Sequence, residues 1–209
     1  MFNCLYMKRA FIIVIFLVSI TSVSFTNHLS QDPVKDYLNV SGPIVFNGIN
    51  YDLSWSSHPA DNFYKQEYIV KGDNPDKFNT MLMIDLITGT DKIENVLASK
   101  VSELKQLKKV NPVVNYEMIE NKAMGEYMLD FIVSENTPDG KLVATVERNV
   151  YRYKKIKDKS GKKCVLMFGV SVRSYGNDID DFLPKLKTNR YDLINAMGQF
   201  QIPEVTILE

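Results

Sequence analysis

The chain is poor in the residues that carry most enzyme and metal chemistry. Its 209 residues include only two cysteines, two histidines and one tryptophan. Cys4 lies at the very start, so Cys164 has no partner in the body of the chain and a disulfide there is excluded. Neither HExxH nor CxxC occurs. His28, His58 and Cys164 are too few and too scattered to supply the three or four ligands that zinc takes. Glycine-rich phosphate loops are missing as well. So is an excess of charge of one sign, since Lys+Arg and Asp+Glu number 25 each. No net field draws the chain to nucleic acid or to an anionic membrane. Strand–helix–strand alternation is also lacking, which argues against a parallel doubly wound sheet.

What is present begins with an export pattern. Lys8 and Arg9 precede the apolar run AFIIVIFLVSI, and Ser22 and Ser24 put small residues before a cut after Ser24. A positive start, a short apolar run and a small-residue exit read as a secretory signal peptide over residues 1–24, with a secreted or periplasmic destination. The run from Ala10 to Ile20 is 11 residues, too short to span a bilayer comfortably. Cleavage removes two basic residues and leaves a mildly acidic chain with no further hydrophobic span. No cysteine follows the apolar run, which argues against lipid anchoring. Asn39 opens an Asn-Val-Ser acceptor that matters only in a cell that glycosylates there.

Residues 25–41 are polar and short of pattern, and are expected as a flexible N-terminal arm. Residues 42–209 are expected as one α+β domain. Asn47-Gly48 between two apolar runs predicts a hairpin, with YDLSW as its second strand and SSHPADN as the turn after it. Residues 62–70 and 80–87 read as the next strands. From Asp91 to Val110 the period becomes helical: Ile93, Val96, Leu97, Val101, Leu104 and Leu107 form one stripe. Asp91 and Glu94 have the spacing of a capping box. Four strands follow, near 114–121, 125–134, 142–154 and 163–174. In YMLDFIV, Leu129 and Phe131 face away from Asp130; in KCVLMFGVSV, Cys164, Leu166, Phe168 and Val170 share a face. From Asp180 or Asp181 the pattern is helical again, with a weak middle at KTNR and Pro184 tolerated only in a first turn. The fold class is therefore α+β: a curved antiparallel sheet with two packed helices, an α/β/α sandwich-like arrangement.

The richest stretch for chemistry is YDLSWSSHPADNFY. Ser56 or Ser57, His58 and Asp61 are the residue types of a nucleophilic triad, and a carboxylate pair is the other hydrolytic option. Adjacent residues point apart on a strand, and no GxSxG elbow accompanies them. Trp55 beside His58 instead suits packing or contact with a ligand or partner. In RNVYRYKK, Tyr151 and Tyr153 share one face and Arg148 and Arg152 the other, a possible contact surface for a protein or glycan. Asn177, Asp178, Asp180 and Asp181 offer oxygens for calcium, but without the spacing of an EF-hand, and acids before a helix also act as caps. Cys164 alternates with apolar residues and reads as a core thiol.

The element order resembles the PsbP-like fold. The resemblance rests on GINYDLSW entering an early hairpin, the helix ENVLASKVSELKQLKKV after several strands, the meander 114–174 and the helix from Asp180, over about residues 43–203. It implies an α/β/α sandwich and a non-enzymatic accessory protein working through contacts with other proteins. No functional residue transfers with it. The expectation is an exported, non-catalytic binding or accessory domain with no cofactor, acting on a protein or cell-envelope component. The alternatives are a secreted hydrolase using Ser57 and His58 or a carboxylate pair, and a small-ligand carrier with Trp55 and tyrosines lining its pocket.

Overall fold

The computed structural model describes residues 34–208. The segment that carries the export pattern lies outside the described residues. Eight strands, β1 (Ile44–Phe46), β2 (Ile49–Ala60), β3 (Phe63–Val70), β4 (Thr80–Thr88), β5 (Asn115–Asn121), β6 (Glu126–Asn136), β7 (Val143–Lys157) and β8 (Lys163–Tyr175), form one sheet. Their order is β1-β2-β3-β4-β8-β7-β6-β5, and neighbouring strands are antiparallel throughout. Asn47 and Gly48 both take positive φ in the β1–β2 turn, the combination that a tight two-residue hairpin requires. The helix α1 (Ile93–Lys108) carries the chain from β4 at the centre to β5 at the far edge. The chain then meanders back to β8, which closes against β4.

The sheet has a helix on each face, as the α+β pattern predicts. On one face α1 packs Ile93, Leu97 and Leu104 against Leu129, Phe131 and Tyr153. The apolar stripe read from the sequence is thus the buried one, although Leu107 at its end is 38% exposed. Asp91 does not cap α1. The residue at the cap is Lys92, with no side-chain bond to the helix, and Asp91 pairs with Lys163 at 2.7 Å.

On the opposite face lies α2 (Ile179–Gln199), preceded by a single 3-10 turn at Gly176–Asp178. Asp178 stands at its start without a capping side-chain bond, and Asp180 and Asp181 occupy its first turn. Pro184 is the sixth helical residue, beyond the first turn where it was expected. Asn189 is non-helical, which places a kink within the weak KTNR stretch. Arginines hold α2 to the sheet. Arg148 donates from Nη2 to the Arg190 carbonyl at 2.7 Å, and Arg152 donates from Nη1 to the carbonyls of Met197 and Phe200 at 3.0 and 2.9 Å.

The rest of that face is covered by both ends of the domain. Leu38 and Val40 are buried among Tyr64, Tyr68 and Leu82, with Ile202, Val205 and Ile207 packed against the same core. Leu38 N–H donates to Gln66 Oε1 at 2.9 Å, Gln66 Nε2 to Tyr68 Oη at 2.6 Å, and Tyr68 Oη–H to the Val40 carbonyl at 2.7 Å. The expected flexible arm therefore does not extend to residue 41. Two apolar side chains and a buried amide–phenol network fix the segment from Asp36 to Val40.

Candidate functional site

The predicted triad does not assemble. Of SSHPADN only Asp61 and Asn62 form the turn: β2 runs on through Ala60, bulged between Leu53 and Trp55 and irregular again after Ser57. Ser57 lies opposite Lys65 and so points to the α1 face. His58 stacks on Tyr64 at 4.1 Å between ring centres, on the α2 face. A strand separates them to opposite sides, and a hydroxyl with no base nearby is not an activated nucleophile. Ser56 Oγ–H is committed to the Lys35 carbonyl at 2.6 Å, and Asp61 stands exposed in the turn after β2. Trp55 is 42% exposed rather than seated in the core.

The RNVYRYKK contact surface divides. β7 is an inner strand whose Arg148 and Arg152 are taken up by α2, whereas Tyr151 on the other face lines a cleft. Arg148 donates to Asp130 through Nε and Nη2 at 3.0 and 3.2 Å, and Arg152 Nε donates to Glu126 at 2.7 Å. These four charged groups are buried. Tyr153 is buried under α1, and Tyr151 packs its ring on Phe131. Asn177, Asp178, Asp180 and Asp181 are all exposed. Among the described residues no group of three or more His, Cys, Asp or Glu is placed to hold a metal ion. Cys164 lies in the core, where burial pushes its thiol up.

Two clefts flank the sheet. The first, of about 850 Å³, opens beside α2 and includes Asp130, Arg148, Glu117 and Arg190 in its lining. Arg190 bridges Asp130 and Glu117, each at 2.7 Å, and so completes a charge network with Arg148. Its polar groups are engaged with one another and with the helix backbone, which makes the network a clamp for α2.

The second cleft, of about 590 Å³, opens between α1 and the β3–β4 connection on the other face. Register explains its floor. Across the sheet Ile69, Met81, Ser171, Asn149 and Phe131 lie on one line, and Trp55, Glu67, Met83, Gly169, Tyr151 and Leu129 on the next. Gly169 is needed there: a Cβ on it would come within 2.8 Å of the Tyr151 ring, which lies over it. The Tyr151 hydroxyl donates to Met83 Sδ at 3.1 Å. Phe78 closes the side opposite α1, with Arg173 over its ring at 4.1 Å. Methionine and aromatic walls of this kind adapt to apolar ligands.

Two polar groups on this face remain unsatisfied. Ser171 Oγ, in a residue 1% exposed, lines the floor without a hydrogen-bond partner. Asp85 Oδ1 is buried one line further on, also without a partner. Lys65 lies opposite Asp85 in register but makes no ion pair with it. Desolvation pushes the Asp85 carboxyl up to about 6, with Lys65 and Lys100 opposing and Glu67 assisting. Burial likewise raises Glu67 and holds the Tyr151 phenol well above its ordinary value. Shifted groups and orphaned polar atoms beside a concave apolar surface mark a site for something other than the protein itself. No base is bonded to Ser171, so its hydroxyl is not activated as a nucleophile.

The sequence reading did not single out this cleft. The available signals were a lone Asp85 inside TMLMIDLIT and the Gly169 and Ser171 pair inside VLMFGVSV. No curated protein and no solved structure matches the chain significantly. A protein-family model matches residues 38–202, from the first buried residue of the core to the segment just beyond α2, and the chain belongs to that family.

Proposed function

We propose that this protein is an exported, non-catalytic binding domain whose α1-side cleft holds a small, largely apolar ligand. The observation that carries the reading is the cleft itself, with Phe78, Met81, Met83 and Tyr151 as apolar surface and the unpartnered Ser171 hydroxyl in its floor. Its volume falls in the range of small-molecule sites. Export is supported by the pattern of residues 1–24 alone. A binding role is supported by the PsbP-like resemblance and by the separation of Ser57 from His58. The carrier reading moves to other residues: Tyr51, Tyr64 and Tyr68 beside Trp55 belong to the core on the α2 face, whereas the tyrosines of the cleft are Tyr151 and Tyr175.

Titrating the full chain with the neutral apolar dye N-phenyl-naphthylamine tests this. A saturable fluorescence rise is expected, weakened by Leu107→Trp, which narrows the mouth from an exposed position on α1. A response that is unsaturable, or unchanged in that variant, would overturn the reading.

A further inference from the structure

The charges around the α1-side cleft are unequal. Glu67, Asp76, Glu103, Glu135 and Glu147 bring five carboxylates to it. Among the described residues that line it, Lys100 and Arg173 are the cations. Both are already paired, Lys100 with Glu103 at 3.0 Å and Arg173 with Glu147. Glu67, Asp76 and Glu135 have no ion-pair partner among the described residues. The cleft therefore carries an excess of negative charge over a low-dielectric floor, the condition under which a field acts most strongly on a bound ion.

The aromatic walls point the same way. Lys100 lies over the Phe131 ring at 5.3 Å and Arg173 over the Phe78 ring at 4.1 Å, so the faces of these rings already attract cations. The third observation is independent of charge. Ser171 Oγ–H is a buried hydroxyl with no hydrogen-bond partner, in the floor between Met81 and Asn149. Its lone pairs can accept from an ammonium N–H; a carboxylate head could accept from its O–H but would meet repulsion from the rim.

Building on the binding role proposed above, we propose that the cleft selects an organic cation, a protonated amine on an apolar body. The ammonium donates to Ser171 Oγ within the field of the carboxylates. The body lies along Met81, Met83 and the Tyr151 ring. The small size of the cleft and its closure by Phe78 on one side and α1 on the other fit a small amine rather than a folded partner.

Calorimetric titration of the full chain with octylamine, octanol and octanoate separates the head from the body. Octylamine is expected to bind about tenfold more tightly than octanol, and octanoate more weakly than either. Glu67→Gln should weaken octylamine about threefold and leave octanol unchanged, since it removes field and not shape. The exposed Glu135→Gln should act in the same direction by less, with no risk to the fold. Equal affinity of amine and alcohol, or equal loss of both in Glu67→Gln, would overturn the cation assignment and leave the apolar cleft standing. Failure of all three to bind would overturn both readings together.

Discussion

The two faces of the sheet treat buried polarity in opposite ways. On the α2 face, Gln66, Tyr68, Asp130, Arg148, Arg152 and Glu126 are buried and each is hydrogen-bonded or ion-paired. Their partners are the helix, the N-terminal segment and one another. On that face α2 covers one part and both ends of the domain another, and the cleft left beside α2 has its charges paired by Arg190. On the α1 face a 16-residue helix covers only the β5–β7 side, and the polar groups left beyond it, Asp85 and Ser171, are unpaired. Buried charge that is fully paired holds a fold together. Buried polarity left unpaired costs stability, and persists where it has another task.

The comparison breaks most visibly at Arg152. Arg152→Met leaves Glu126 buried with only Lys154 at 3.9 Å, and frees two helix carbonyls. A loss of about 3–5 kcal/mol is expected in urea unfolding. A loss below about 1 kcal/mol would show that the α2 clamp is ornamental.

Asp85 should behave in the reverse sense. Its carboxyl is raised to about 6 by burial, so the folded chain holds the proton more tightly than the unfolded one. Stability from this group is therefore greatest below the unfolded value near 4 and falls as pH rises through about 6. Asp85→Asn should stabilise the protein by about 1–3 kcal/mol at roughly pH 7.5 and leave it nearly unchanged at roughly pH 4, read from unfolding midpoints at both. Destabilisation at the higher pH would mean that the carboxylate has a partner after all.

Gly169→Ala tests the floor, since the new methyl meets the Tyr151 ring. A cost of about 1–2 kcal/mol is expected, together with weaker dye binding as the ring shifts. The smallest effect belongs to Ser171→Ala. No hydrogen bond is lost there, so stability should hold or rise by up to about 1 kcal/mol while binding of octylamine weakens. A clear loss of stability would place Ser171 with the satisfied groups of the opposite face.

Much of this was legible in the sequence wherever period decided it. The alternation in YMLDFIV and KCVLMFGVSV sent Leu129 and Phe131 to one face and Cys164 and Phe168 to the other, as the two cores show. The stripe of α1 was legible for the same reason. Arg148 and Arg152 were not, because an arginine every fourth residue on a strand looks solvated until Asp130 and Glu126 on the neighbouring strand are known to face it. SSHPADN looked like a turn because edge strands tolerate polar residues that inner strands do not. The cleft was invisible for a related reason. Asp85 and Ser171 stood out as polar residues in apolar runs, but their lack of partners depends on where distant strands and α1 come to rest.

Thr206 N–H donates to the Leu38 carbonyl and Leu208 N–H to the Tyr37 carbonyl, each at 2.8 Å. The segment around Leu38 is thus closed over by residues 202–208. A chain made from the N-terminus cannot complete this core until residues 202–208 have emerged, because they form the lid over Leu38. Chains stalled before Ile202 should accordingly remain open to protease that the finished protein resists. For a domain proposed to act outside the cell, that delay keeps it threadable until residues 202–208 are made.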